Sequence, residues 1–312
     1  MISKHPSKSV PKFPQGSRLP LWLILWLTCV TPLLAQLRVD FSEHNSHNLL
    51  ARLYPILIAH RGGVITEQSP ECSRNAIRLA GQSGYDMVEL DIRRSRDGIP
   101  IVFHDRSLKK ACGRPETIAE LTAAQIRDIR YLQGGERIIL FEEALAECKR
   151  QQLGLMLDIK TGKEDIPFLK RIDHLIQIYG FENATITFTG TPQARANLKH
   201  ARFTLTSDEL TRLRRGERLL LPHRFWFGLP KHLPPEDVQV LKRAAVVILP
   251  AINTFRYPRE NHQTLAERDV KRLLKQGVHG FQIDSVYGTF FRYITRNSTP
   301  ALSLDREDHT TD

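Results

Sequence analysis

Four short stretches place reactive side chains at the ends of apolar runs. His60-Arg61 follows Ile56–Ala59, and Glu89 and Asp91 close the run Met87–Asp91. His104-Asp105 follows Ile99–Phe103, while Asp158 and Lys160 end the run that starts at Gly154. In a strand, residues two apart share a face, so Glu89 projects with Asp91, and Asp158 with Lys160. Two partly desolvated carboxylates side by side repel unless one is protonated or a cation bridges them. A hard divalent cation, Mg²⁺ or Ca²⁺, resolves this with oxygen ligands. The competing reading is neutralisation by Arg93 and Arg94. Two histidines can divide general-base and general-acid work near neutral pH. Arg61 and Lys160 can neutralise phosphoryl oxygens. Together the groups suit metal-assisted hydrolysis of a phosphodiester.

Such residues must be delivered to one rim. Strands are expected at Ile56–Ala59, Met87–Asp91, Ile99–Phe103, Gly154–Ile159, Ala184–Phe188, Arg202–Thr206, Leu219–Leu221, Val246–Ile252 and Gly280–Asp284. Most are short and continuously apolar, as strands covered on both faces are. Helical spacing lies between them in Ser73–Ala80, Ala123–Tyr131, Phe141–Gln151, Pro167–Tyr179, Glu236–Arg243 and Thr264–Gln276. The segment Arg212–Pro235 reads as a weak strand plus a long loop. Repeated strand–helix units predict an α/β fold, a (β/α)8 TIM-type barrel whose active rim is the C-terminal end of the strands. A doubly wound open sheet is the alternative, but no Gly-rich dinucleotide fingerprint supports it. Gly62 and Gly63 let the backbone turn sharply behind His60.

The chain has 312 residues, 41% hydrophobic and 25% charged, enough to bury a sizeable core. Its net charge is +11, but Lys4, Lys8, Lys12 and Arg18 place +4 in residues 1–37, leaving +7 for the body. This favours anionic substrates or surfaces. No basic block with interleaved aromatics indicates nucleic-acid binding. The basic stretch followed by apolar Leu19–Leu34 has the order of an export signal, cleaved after Ala35 or retained as a signal-anchor. The expected organisation is a signal or anchor over 1–37, a connector over 38–54, the barrel over 55–296 and a disordered tail over 297–312. The barrel is expected to be extracytoplasmic, secreted or periplasmic, with membrane-surface contact as a further expectation. Cys72, Cys112 and Cys148 remain outside the signal. Their spacing gives neither a disulfide framework nor a zinc site; buried small hydrophobes are the default, with a Cys72–Cys112 bridge as the alternative.

The sequence resembles the glycerophosphodiester phosphodiesterase family, whose members form metal-dependent β/α barrels. The resemblance lies in His60-Arg61-Gly62, Pro70-Glu71, Glu89-x-Asp91, the run Asp97–Asp105, Asp158-Ile159-Lys160 and, more weakly, Val270–Asp284. It implies that His60 and His104 form the acid–base pair, and that Glu89, Asp91 and Asp158 hold one divalent cation. Arg61 and Lys160 would contact phosphate, with Glu71 as a supporting group. The products would be an alcohol and a glycerol phosphate.

The sequence departs from the family pattern in several places. Asp158 stands where Glu is common, which would draw the metal toward the strand bearing Asp158. The loop from Arg61 to Pro70 is longer than usual, and Cys72-Ser73 replaces Asn-Thr. No Trp occurs near Ala251–Thr254 to help form a pocket for the polar alcohol; Trp226 is the candidate substitute, with core or lid roles as the other readings. The apolar Phe225-Trp226-Phe227 cluster motivates an alternative in which the same site cleaves lysophospholipids or sphingolipids. A barrel that binds phosphorylated ligands without turnover is the third reading, against which the two histidines argue.

Overall fold

The computed structural model describes residues 36–42, 48, 50–160, 165–221 and 224–291. Ten strands form one sheet: β1 (Ile56–Ala59), β2 (Met87–Arg94), β3 (Pro100–Val102), β4 (Ile139–Leu140), β5 (Gly154–Ile159), β6 (Thr185–Thr187), β7 (Arg202–Thr204), β8 (Arg224–Gly228), β9 (Val247–Ile252) and β10 (Gly280–Ile283). Eight of them, β1, β2 and β5 to β10, run parallel, and β1 pairs with both β10 and β2, closing the barrel. Their side chains are almost wholly buried, as expected for strands covered by helices outside and packed layers within.

Nine helices accompany these strands among the described residues: α1 (Arg74–Gln82), α2 (Lys109–Cys112), α3 (Ala123–Arg127), α4 (Phe141–Arg150), α5 (Ile166–Ile178), α6 (Pro192–Asn197), α7 (Ser207–Arg214), α8 (Pro235–Arg243) and α9 (His262–Gln276). Local capping fixes their starts. The Ser73 hydroxyl accepts from the Ala76 amide, and Asp165 accepts from the Phe168 amide. The helix α7 was not anticipated, although Thr206 and Glu209 form a reciprocal capping box that marks its start in the sequence.

Three expectations need correction. Leu219–Leu221 is not a strand, and Leu220 is 98% exposed. The strand of this region is β8, whose aromatic residues pair on both sides with β7 and β9. Ile99–Phe103 is not a barrel strand: β3 runs antiparallel to β2 and then pairs with β4. This excursion carries its own apolar cluster of Phe103, Leu108, Ile118, Ile126, Ile129 and Tyr131. The polar connector is also partly structural. Val39 and Phe41 are buried, and the Phe41 amide donates to the Asn183 carbonyl. A Cβ on Gly154 would meet the Val39 side chain at 2.4 Å, so any larger residue there would have to displace this segment.

The apolar segment Leu19–Leu34 and the tail beyond Arg296 lie outside the described residues. Among the described residues, no helix is long and apolar enough to cross a membrane. Cys72, Cys112 and Cys148 are all buried and free, so the Cys72–Cys112 bridge is absent.

Candidate active site

His60 leaves β1 in a tight turn that ordinary residues resist. Arg61 sits at φ 52°, a left-handed conformation costing roughly 1–2 kcal/mol for a residue with a side chain. Gly62 follows at φ 78°, where a Cβ would stand 2.7 Å from the Cα of Cys72. The turn is held from both sides. The Arg61 amide donates to Glu89 Oε2 at 2.8 Å, and its carbonyl accepts from the Cys72 amide at 2.9 Å.

The turn aims His60 into the barrel mouth. Its Nδ1 lies 2.5 Å from Asp284 Oδ1, and Thr254 donates to Asp284 Oδ2 through both its amide and its hydroxyl, each at 2.7 Å. Burial opposes ionisation of Asp284, but these donors outweigh it and hold its carboxyl below the usual range. An ionised Asp284 fixes the proton of His60 on Nδ1 and leaves Nε2 facing Glu89, 4.0 Å from Oε2. Asp284 follows β10 directly, the same strand-end signal that marks His60, so its position was legible in the sequence although its partner was not.

Glu89, Asp91 and Asp158 come together as expected. Asp91 and Asp158 are register partners on β2 and β5. One carboxylate oxygen from each of the three residues falls within a group spanning less than 4.8 Å. Burial, and after it the neighbouring Asp91, push the Glu89 carboxyl well above its ordinary range. Lys160 supplies part of the compensation, with Nζ 2.9 Å from Asp91 and 2.6 Å from Asp158. Burial works against its charge, but these two carboxylates outweigh it and raise its pKa. Of the competing neutralisers, Arg94 pairs with Asp165 instead, whereas Arg93 hydrogen-bonds the His104 carbonyl and offsets Asp91 and Asp158 without bonding either. The all-oxygen donor set and its excess negative charge therefore fit Mg²⁺ or Ca²⁺.

Beneath Asp91 lies Cys72, which the sequence marked only as a departure. It takes a left-handed φ of 59° and donates weakly from Sγ to Asp91 Oδ2 at 3.7 Å. Burial and the surrounding carboxylates push its thiol well above the ordinary value, so it stays protonated.

His104 is delivered by the antiparallel excursion rather than by a barrel strand. Its Nδ1 lies 2.8 Å from Asp105 Oδ1 and 3.9 Å from Glu71 Oε1. Glu71 also pairs with Arg61 Nη1 at 2.9 Å, linking the guanidinium to the second imidazole. Burial opposes the Arg61 charge, but Glu71 outweighs it and raises the pKa. Arg61 Nε is buried with no hydrogen-bond partner among the described residues.

The seven residues His60, Arg61, Glu89, Asp91, His104, Asp158 and Lys160 all line one cavity of about 350 Å³. Glu71 stands behind it. The rest of the lining is mixed: Phe188 stacks on Phe227 with centroids 5.1 Å apart and Leu229 joins them, while His232, Asn253, Arg256 and Gln282 add polar groups. Trp226 does not take the pocket role considered for it; it is buried and points away from this lining. The aromatic near Ala251–Thr254 is Phe255, whose ring lies 6.2 Å from His60 and under the Arg256 guanidinium.

Comparison with known proteins agrees with this architecture. A phosphodiesterase of Oleispira antarctica, solved in complex with the product sn-glycerol-3-phosphate, superposes with a TM-score of 0.62 at 20% identity, covering 80% of this chain and 99% of that one. A glycerophosphoryl diester phosphodiesterase of Parabacteroides distasonis gives a TM-score of 0.62 at 18% identity, covering 85% and 96% of the two chains. In sequence, Glycerophosphodiester phosphodiesterase 1 of Homo sapiens is 35% identical over 111 residues, 33% of this chain and 33% of that protein. The chain thus spans about a third of the length of the curated relatives it matches. The Glycerophosphoryl diester phosphodiesterase family matches residues 60–287, which takes in the whole rim from His60 to Asp284; the chain belongs to that family.

Proposed function

We propose that the chain hydrolyses phosphodiesters, with glycerophosphodiesters as the leading class and an alcohol and a glycerol phosphate as products. The observation that carries this reading is the convergence of two carboxylate-held imidazoles and the cations of Arg61 and Lys160 on one cavity with the acidic triad. Arg61 and Lys160 bind the phosphoryl oxygens and orient the diester. One imidazole takes a proton from the attacking water as its oxygen bonds to phosphorus, and the other gives one to the departing alcohol oxygen as the P–O bond to it breaks. Asp284 and Asp105 keep each Nδ1 occupied, so Nε2 is the nitrogen that exchanges the proton. Glu89, Asp91 and Asp158 would hold the divalent cation, which when bound polarises the phosphoryl group.

The test is a panel of glycerophosphocholine, glycerophosphoethanolamine and glycerophosphoglycerol, assayed after chelation and again with Mg²⁺ or Ca²⁺ restored. Release of alcohol that requires the added cation is the expected result. Hydrolysis of none of them with either ion would overturn the reading. A non-catalytic phosphate-binding barrel would show that same inactivity.

A second substrate class follows from the apolar side chains of the lining. Phe188, Phe227 and Leu229, with Phe255 57% exposed at the mouth, offer a surface for an acyl chain, as in a lysophospholipid or sphingolipid. Direct comparison of lysophosphatidylcholine with glycerophosphocholine separates the classes. An exported barrel contacting a membrane surface would suit lipid substrates, and the basic and apolar order of residues 4–34 supports export. Fractionation of cells expressing the full chain tests that placement.

A further inference from the structure

Along β2, Glu89, Asp91 and Arg93 share one face, so a guanidinium stands one step outward from two candidate metal ligands. Beside the catalytic cavity lies a second cavity of about 320 Å³, and Lys160 lines both. Arg93, Arg94, Arg106 and Lys160 bring four cationic side chains to its wall, and Asp165 is the one carboxylate among its described lining residues. The charges are unequally compensated. Lys160 is held by Asp91 and Asp158, and Arg94 by Asp165 at 2.8 Å. Arg93 donates to a neutral acceptor, the His104 carbonyl, and is offset by Asp91, Asp105 and Asp158 without a direct ion pair to any of them. Arg106 is exposed and makes no side-chain hydrogen bond or ion pair among the described residues.

A concave site with several guanidinium groups and excess positive charge selects a multiply charged oxyanion, which can accept two parallel N–H bonds from each arginine. A cation shared between adjoining cavities lets one extended molecule occupy both. We infer that the second cavity binds a further anionic group of the substrate, so that diesters carrying an additional phosphate are preferred over those with a neutral head group. This rests on the phosphodiesterase reading and specifies its substrate class.

Arg93 and Lys160 also hold the catalytic rim, so Arg106 is the residue to vary. The full chain, with Mg²⁺ or Ca²⁺ present, is assayed on glycerophosphoglycerol and on its terminal phosphate monoester, which differ by one phosphate. The phosphorylated substrate is expected to have a kcat/KM about tenfold higher, through a lower KM, the scale of one charge-assisted contact. Arg106→Glu should remove that preference and leave glycerophosphoglycerol within about twofold of the unaltered protein, while Arg106→Lys, which keeps the charge but not the paired N–H donors, retains only part of it. Equal kcat/KM on the two substrates, or an Arg106→Glu loss identical on both, would overturn the inference. Inhibition by inorganic phosphate that weakens in Arg106→Glu, with no preference between the substrates, would show a free-anion site and overturn it as well. Hydrolysis of neither substrate would instead sink the phosphodiesterase reading and this inference with it.

Discussion

At the N-terminal end of β2, Asp86 gives one carboxylate oxygen to Arg52 at 2.7 Å and the other to the Leu57 amide at 2.9 Å. At the opposite end of the same strand, Glu89 and Asp91 face Asp158, with the Lys160 ammonium as the cation held between the two aspartates. The floor carboxylate is matched by donors from the protein itself. The three rim carboxylates share a single ammonium, and burial together with the neighbouring Asp91 raises the Glu89 pKa. A buried charge left partly uncompensated costs stability, so its presence marks a place where something outside the protein completes the site. The same contrast holds for histidines. His279, at the floor before β10, is locked as a neutral acceptor of the Ile248 amide at 3.0 Å, whereas His60 at the rim is fixed at Nδ1 and leaves Nε2 open.

The comparison predicts that rim changes remove activity and floor changes remove stability. The largest effect belongs to the imidazoles: His60→Ala or His104→Ala should lower kcat by about 10³-fold or more, with little change in the unfolding midpoint. Steady-state assays beside denaturant titrations check this, and survival of activity in both variants would refute the assigned roles. Glu89→Gln should also abolish turnover while stabilising the metal-free protein by about 1 kcal/mol, because it relieves carboxylate repulsion and leaves the Lys160 pairs intact. Added Mg²⁺ or Ca²⁺ should raise the melting temperature of the unaltered chain but not of this variant. A variant less stable than the parent without metal would break the contrast.

At the floor, Asp86→Ala should cost about 3 kcal/mol by stranding Arg52 and the Leu57 amide, while kcat/KM of the folded fraction stays unchanged. His279 gives the pH dependence. Burial, with Lys242 adding to it, lowers its pKa to about 4 from the ordinary 6.5. The unfolded chain therefore binds the proton first. The stabilisation is present above pH 6.5 and is lost as pH falls toward 4, by about 2 kcal/mol at pH 4.5. Denaturant midpoints for the parent and His279→Asn should converge over that window; parallel curves would remove His279 from the account. The smallest change is Phe255→Ala, expected to raise KM about threefold on a lysolipid and to leave soluble diesters unaffected.

The rim was legible because its signals are local. His60, Glu89, Asp91, Asp158 and Lys160 each end an apolar run, and strand alternation alone sets which side chains share a face. The strand β8 was harder to read, because its aromatic run is bounded by polar residues and the neighbouring leucines made a better apolar stretch. Pairing with β7 and β9 decided between them.

The sequence by itself determined the parallel strand–helix repeat and the acidic, basic and imidazole residues of one rim, since periodicity and residue type are properties of the chain. Only the tertiary structure decided that Asp284 holds His60, that His104 arrives on an antiparallel excursion, and that Phe255 rather than Trp226 faces the pocket. Each depends on residues far apart in the chain meeting across a closed barrel, and closure sets those meetings through the register of eight strands at once.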